Sequence, residues 1–458
     1  MNRRRFLQAT ALTVAGGAIA ACAPTTAPAS SGGEAAPAGE IVELKFFTPD
    51  RELGKNVANF EIDSFNAKME EEGKGYRFEL AVGPATDNDI KTKLTLDAAA
   101  GTLPDYFGIR PEMVADFIAA SYLADVTEPL TAWDGWENIA GSLRDLGTYD
   151  GKLYGIPGGS TFTFFRRKDV MDEAGISGEQ PKTWDDFYTA CAEIVDKTDA
   201  IPTGLPAATP WGGGTWGEGF QMVWLSFDGT IYDETDNKWV VSSDNLLNAF
   251  KVYETLASNG WLTVDMLLSP NPWEPIKYQG FPAGEVVTVT GGDWQWTFDW
   301  GPEGATPIEG LYEKVDRWQW PSEDGTPFTY VSGGLSNVVA ATTKSLDGCV
   351  EFMTYQSEPD VICETIPLYI GGPSARTDLA EQCPAYAEAV NGKMAEASQL
   401  FESGRTYKFD QLNANRISDG VGRATEDIIT GTMTAEEAME KFAADMLQGI
   451  GEEGAKTA

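Results

Sequence analysis

Fourteen tryptophans in 458 residues are the side chains that bear most on chemistry, because they cluster instead of scattering. Trp211, Trp216 and Trp224 form one group, Trp294, Trp296 and Trp300 a second, Trp318 and Trp320 a third. An indole offers a flat apolar face on which the C–H side of a sugar ring stacks, while neighbouring polar groups bond to the hydroxyls. Aromatic walls with a few placed polar groups are how small-molecule pockets are built. Trp211 and Trp216 lie in Pro210-Trp211-Gly212-Gly213-Gly214-Thr215-Trp216-Gly217, a glycine-rich loop with no bulk of its own to bury an indole. Both are expected to face a cleft. Trp224 falls in the apolar stretch 220–227 and is expected in the core of a helix, while Trp318 and Trp320 alternate on a strand and are expected to be structural.

Other chemistries are excluded by what is missing. The chain has no histidine, which removes the commonest general base, the usual zinc ligand and any Ser-His-Asp triad. A secreted glycoside hydrolase needs two carboxylates flanking the scissile bond. Seventy acidic residues supply countless pairs, but no motif singles one out. No catalytic residue, metal or cofactor is therefore expected, and the chain is read as a non-enzyme. The formal charge of −37 argues against nucleic acid, which rewards basic patches.

The first residues concern targeting. Arg3-Arg4-Arg5-Phe6-Leu7 reads as a twin-arginine export signal, followed by an apolar run too short and glycine-broken to span a bilayer. It closes on Ile19-Ala20-Ala21-Cys22, so residues 1–21 are expected to be removed and Cys22 lipidated. Residues 22–39, rich in Ala, Pro, Thr, Ser and Gly, read as a disordered tether from the membrane anchor. The expected location is extracytoplasmic, on the cell membrane. Export permits disulfides. Among Cys191, Cys349, Cys363 and Cys383, Cys363 with Cys383 is the favoured pair beside the alternative of plain buried thiols.

The remaining chain, about 420 residues, exceeds one compact core and suits two lobes. Residues 43–48 read as a strand, 58–71 as an amphipathic helix, 77–82 as a strand, 89–100 as a helix and 106–109 as a strand. That alternation implies a parallel sheet covered by helices, with ligands gathering at the carboxyl ends of strands. Asp50, Arg51 and Arg110 follow strand ends, and Asp87 lies in the loop after the second strand. The broken strand Ile156-Pro157-Gly158-Gly159-Ser160 suits a chain crossing between lobes, which places Ser160 at the crossing. Thr183 and Asp186 have the layout of a capping box around Trp184, expected to be structural. Asp105 is expected to be a structural cap.

Six motifs in order carry a resemblance. Gly101-Thr102-Leu103-Pro104-Asp105, Gly151-Lys152-Leu153-Tyr154-Gly155-Ile156-Pro157, and Lys168-Asp169 leading to Pro181-Lys182-Thr183-Trp184 come first. Phe281-Pro282-Ala283-Gly284-Glu285 through Gly292-Asp293-Trp294, then Gly333-Gly334, then Thr434-Ala435-Glu436-Glu437-Ala438 complete the set. Together they resemble the family 1 extracellular solute-binding proteins, the group that includes maltose-binding protein. The resemblance implies an α/β fold of the two-lobe periplasmic-binding-protein type (type II), with a ligand cleft between the lobes. It implies lobes at 40–157 plus 333–385 and at 158–332 plus 386–455. Trp294 and Trp296 match the family's cleft tryptophans, with Asp293 beside them. Arg416 lies before the C-terminal helices, where the family contributes from below. The expected partners are a small solute, a sugar or polyol, and the permease subunits of an ABC importer, with the protein a monomer. The alternative ligands are a polyamine or a phosphorylated polyol. One departure is Arg166-Arg167 before Lys168-Asp169, where the family has tyrosine and asparagine; it makes that strand end basic.

Overall fold

The computed structural model describes residues 41–408 and 411–457, without the side chain of Asp87. The export signal, Cys22 and the tether lie outside the described residues.

In chain order the elements that position the site begin with β1 (Val42–Thr48), α1 (Glu52–Glu71), β2 (Tyr76–Val82), α2 (Asp87–Ala100), β3 (Tyr106–Ile109) and α3 (Pro111–Ala119). Next come β4 (Gly155–Pro157), β5 (Ser160–Arg167), α4 (Trp184–Lys197), β6 (Ile201–Gly204), α5 (Asp244–Ser258), β7 (Val286–Gly292) and β8 (Val315–Trp318). The last are β9 (Tyr330–Ser332), β10 (Ser336–Val339), α6 (Leu346–Gln356), α7 (Pro359–Thr365), β11 (Arg405–Thr406), α8 (Ala414–Ile429) and α9 (Ala435–Ile450).

The first lobe is built on a sheet ordered β2-β1-β3-β10-β4, with β1 parallel to β2 and β3, and β10 antiparallel to β3 and β4. Both faces of β1 are covered. Phe46 packs with Phe65, Phe78 and Phe352 on one side, and Phe47 with Leu94 and Phe107 on the other, which is how a strand in a helix-covered parallel sheet reads. Helix α1 starts six residues before the expected 58 because its first turn is polar, with Glu52 and Lys55, and carries no buried residue to announce it. Helix α2 starts at Asp87 because the Thr86 hydroxyl accepts from the Asp89 N–H, a side-chain cap. Asp105 is a structural tie, accepting from the Lys45 N–H at 2.9 Å, the Thr343 hydroxyl at 2.8 Å and the Lys344 N–H at 3.2 Å.

The second lobe has a sheet ordered β11-β9-β5-β7-β6, with β8 pairing to the far half of β5. On one face of β5, Phe164 meets Phe187 and Trp320; on the other, Phe165 meets Trp296 and Trp300. Trp184, Trp318 and Trp320 are buried with their indole N–H groups bonded, to the Ser226 hydroxyl, the Gly178 carbonyl and the Phe162 carbonyl. The capping box of α4 is formed in both directions.

Arg166 and Arg167 turn inward as struts. Arg167 forks onto Asp169 and caps the carbonyls of Phe281 and Pro282, and Arg166 pairs with Asp316 at 2.9 Å over the Trp318 ring. Cys363 and Cys383 are joined, while Cys191 and Cys349 are buried thiols. Between the lobes, two crossing segments run side by side: the Gly158 N–H donates to the Leu335 carbonyl at 2.9 Å and the Gly159 N–H to the Gly333 carbonyl at 3.0 Å.

Candidate functional site

Strand β7 is buried along its whole length and ends in Gly291-Gly292, after which residues 293–296 turn back over β5. The turn requires glycine. A Cβ on Gly292 would lie 2.0 Å from a ring carbon of Trp294, so only its absence lets that indole fold across the strand end. Trp294 is partly buried, edge-on to Phe162 at 5.4 Å. Facing it is Lys277, 3% exposed, whose ammonium lies 5.8 Å from the Trp294 ring centroid and 5.4 Å from that of Trp211. Glu218 holds this ammonium at 2.6 Å. The buried Gln295 amide is close by, and neither of its polar atoms has a hydrogen-bond partner among the described residues. The result is two indole rings around a buried ion pair, with Trp294 the partly exposed ring and the Gln295 amide enclosed behind them.

The residues expected to touch a ligand separate into three groups. At the lobe boundary, Arg51 donates twice to the Ala85 carbonyl, at 3.1 and 3.0 Å, and its guanidinium lies 5.8 Å from the Phe298 ring of the other lobe. Asp50 is exposed and paired with Lys55 at 2.7 Å. Arg110 follows β3 as the N-cap of α3, and Asp87 opens α2 with its side chain outside the described set.

A second group is enclosed. Trp216 is 2% exposed and edge-on to Trp224 in an aromatic cluster with Phe220. The glycines that suggested a loop instead begin a helical run, Gly213–Thr215 into Trp216–Phe220, which carries Trp216 into the core. Trp211 is also buried, because a side chain at Gly214 would strike its ring at 2.2 Å and none is there; it keeps its approach to Lys277. Trp296, 1% exposed, packs edge-on to Phe165. Asp293 is fully buried, bonded to the Thr161 N–H at 2.7 Å, the Thr161 hydroxyl at 2.9 Å and Arg317 at 2.9 Å, and Ser160 lies against it. These two are struts beneath the cleft wall.

The third case is Arg416, exposed on the first turn of α8 with its guanidinium against Gly449 of α9 and therefore turned away from the cleft. Its neighbour Asn415 crosses the lobes instead, donating to Asp116 at 3.2 Å.

Residues 62–401 match the sequence profile of a family described as bacterial extracellular solute-binding protein. The chain belongs to this family. Among curated relatives it is 24% identical over 307 residues to the arabinooligosaccharide-binding protein of Halalkalibacterium halodurans, covering 64% of each chain. It is 27% identical over 282 residues to the diacetylchitobiose binding protein DasA of Streptomyces coelicolor, covering 58% of this chain and 59% of that one. The chain thus spans less than two thirds of the length of these relatives. Among solved structures, the GacH receptor of Streptomyces glaucescens superposes with a TM-score of 0.73 at 19% identity, over 90% of this chain and 99% of that one. A solute-binding protein of an ABC transporter from Thermotoga lettingae, bound with alpha-D-tagatose, gives 0.72 at 20% identity, over 90% and 99%. These likenesses show the two-lobe fold.

Several groups at the cleft of this solute-binding protein leave little trace in sequence. Lys277 and Tyr278 occur in a proline-broken stretch without period, and Glu218 between two glycines. Asp299, 2% exposed, is grouped with them only by folding. Burial pushes its carboxyl up to about 7, opposed by Lys277. Tyr369, in the segment after α7, faces Thr297. One clue was available: charged residues flanked by aromatic and glycine residues in three separate stretches, a composition that a solvated surface does not need. Among the described residues no group of three or more His, Cys, Asp or Glu side chains is placed to hold a metal ion, and no helix is long and apolar enough to cross a membrane.

Proposed function

We propose that this protein is the extracytoplasmic binding component of an ABC importer, capturing a neutral sugar or polyol between its lobes for delivery to the permease. The observation that carries this reading is the partly buried Trp294 indole at the end of β7, beside the Lys277–Glu218 ion pair. Flat apolar faces beside fixed donors and acceptors suit a sugar ring and its hydroxyls. The relatives named for arabinooligosaccharide and diacetylchitobiose support the same class. A polyamine is disfavoured for a specific reason. A ligand cation would seek the Trp294 face, where it would meet the Lys277 ammonium, 5.8 Å from that ring, and be repelled as a like charge.

A thermal-shift screen of oligosaccharides, monosaccharides, polyols and polyamines tests the reading. A ligand at a hundred times its Kd stabilises by about 2.7 kcal/mol, so a sugar is expected to raise Tm measurably and a polyamine is not. A response to polyamines alone would refute the sugar assignment. The reading includes a lipid anchor at Cys22, motivated by Ile19-Ala20-Ala21-Cys22 after the arginine signal. Cys22→Ser is expected to move the protein from the membrane fraction to the soluble one. Fractionation that finds the parent already soluble, with an unmodified N-terminus, removes the anchor.

A further inference from the structure

Asp299 is a buried acid that no strut or cap explains. It is 2% exposed, and its Oδ2 has no hydrogen-bond partner among the described residues. The charged and titratable groups facing it come from four separate segments: Lys277 and Tyr278 from residues 274–280, Glu218 from residues 216–220, Arg51 from the end of β1, and Tyr369 from the segment after α7. The Tyr278 hydroxyl bonds to its carboxyl, and the Tyr369 hydroxyl bonds to Thr297 two residues away. Arg51 belongs to the other lobe and reaches the adjacent Phe298 ring, so this carboxyl stands where the lobes meet. Oδ2 is itself enclosed, and Tyr278 and Tyr369 beside it are each only partly buried, so a swing of either ring would open it toward the cleft. A buried acceptor without a donor costs free energy that an arriving donor recovers.

We propose that Asp299, flanked by Tyr278 and Tyr369, determines specificity in the cleft by accepting a hydroxyl of the bound sugar at Oδ2. This rests on the carbohydrate reading above. The subsite carries a pH signature. Burial raises the Asp299 carboxyl to about 7, Lys277 and Arg51 pull it down, and Glu218 pushes it up. A ligand hydroxyl donates to the ionised form, so binding favours the carboxylate. Affinity is therefore full above that value and declines as pH falls through it.

The test is calorimetry with maltose, diacetylchitobiose and arabinotriose as probes, at about pH 8 and about pH 5.5. For the probe that binds, Kd is expected to rise about tenfold between the two. Asp299→Asn, the same shape without the charge, is expected to weaken binding about tenfold at the higher pH and to flatten the profile. Its Tm reports that it remains folded. A parent whose Kd ignores pH, or a variant that keeps the parent's profile, sinks the subsite and leaves the carbohydrate reading standing. Failure of all three probes at both pH values overturns the carbohydrate reading and this inference with it.

Discussion

Asp293→Ala is expected to destabilise the second lobe by about 3–5 kcal/mol, the cost of leaving a charge buried without its partner. Asp293 is fully buried and Arg317 nearly so, with 14% of its side chain exposed, and the two meet at 2.9 Å. The carboxylate also accepts from the N–H and the hydroxyl of Thr161, at the start of β5, so its removal strands three donors at once. Arg317→Ala should cost a similar amount, and the double variant less than the two together, because the second loss no longer leaves an orphan. Asp293→Asn keeps the shape and one acceptor, and is expected to fall between parent and alanine variant. Denaturant unfolding measures all four. If Asp293→Ala unfolds like the parent and only binds more weakly, the residue is a ligand contact and the strut assignment is wrong.

The second large effect is on affinity. On the proposed reading Trp294→Ala removes one wall of the cleft, and truncating an aromatic anchor commonly costs about 2 kcal/mol or more, roughly a thirtyfold rise in Kd. Trp294→Phe retains a flat face and should keep part of the affinity. Trp224 supplies the contrast. It is 1% exposed and packs against Trp216 and Phe220, so Trp224→Ala should cost about 3–5 kcal/mol of stability. The protein that remains folded should bind almost as the parent does. Calorimetry and thermal melting on both variants separate the two roles. Equal affinity for Trp294→Ala and the parent would return that indole to the core.

Local chemistry made the fold legible. The strands of the first sheet show as short apolar runs, and Thr183 with Asp186 announces α4, because both signals depend on residues a few positions apart. The turn after β7 was legible in Gly292 and Trp294, one residue apart. The sequence misled where glycine carried two meanings. Gly212, Gly213 and Gly214 suggest an open loop, yet there they admit the Trp211 ring and let the chain enter a helix that buries Trp216. Asp293 misled because a carboxylate beside a cleft tryptophan can face outward or inward, and Arg317, which decides the matter, is 24 residues away. Lys277 and Glu218, 59 residues apart, were illegible for the same reason. An ion pair across that separation leaves no periodic mark on either partner.

The two crossing segments, joined flank to flank at Gly158 and Gly159, have a mechanical consequence. Strips fastened along their edges bend together about one line, like the leaves of a piano hinge. Sliding one lobe past the other would tear both N–H groups from the carbonyls of Leu335 and Gly333. Under the proposed function, opening and closing would then favour a change in one angle, which a captured solute would set. Under the same proposal, a permease that grips both lobes would read the angle and not the sugar itself. Two solutes of different size that arrest the lobes at the same angle would be the same cargo to it.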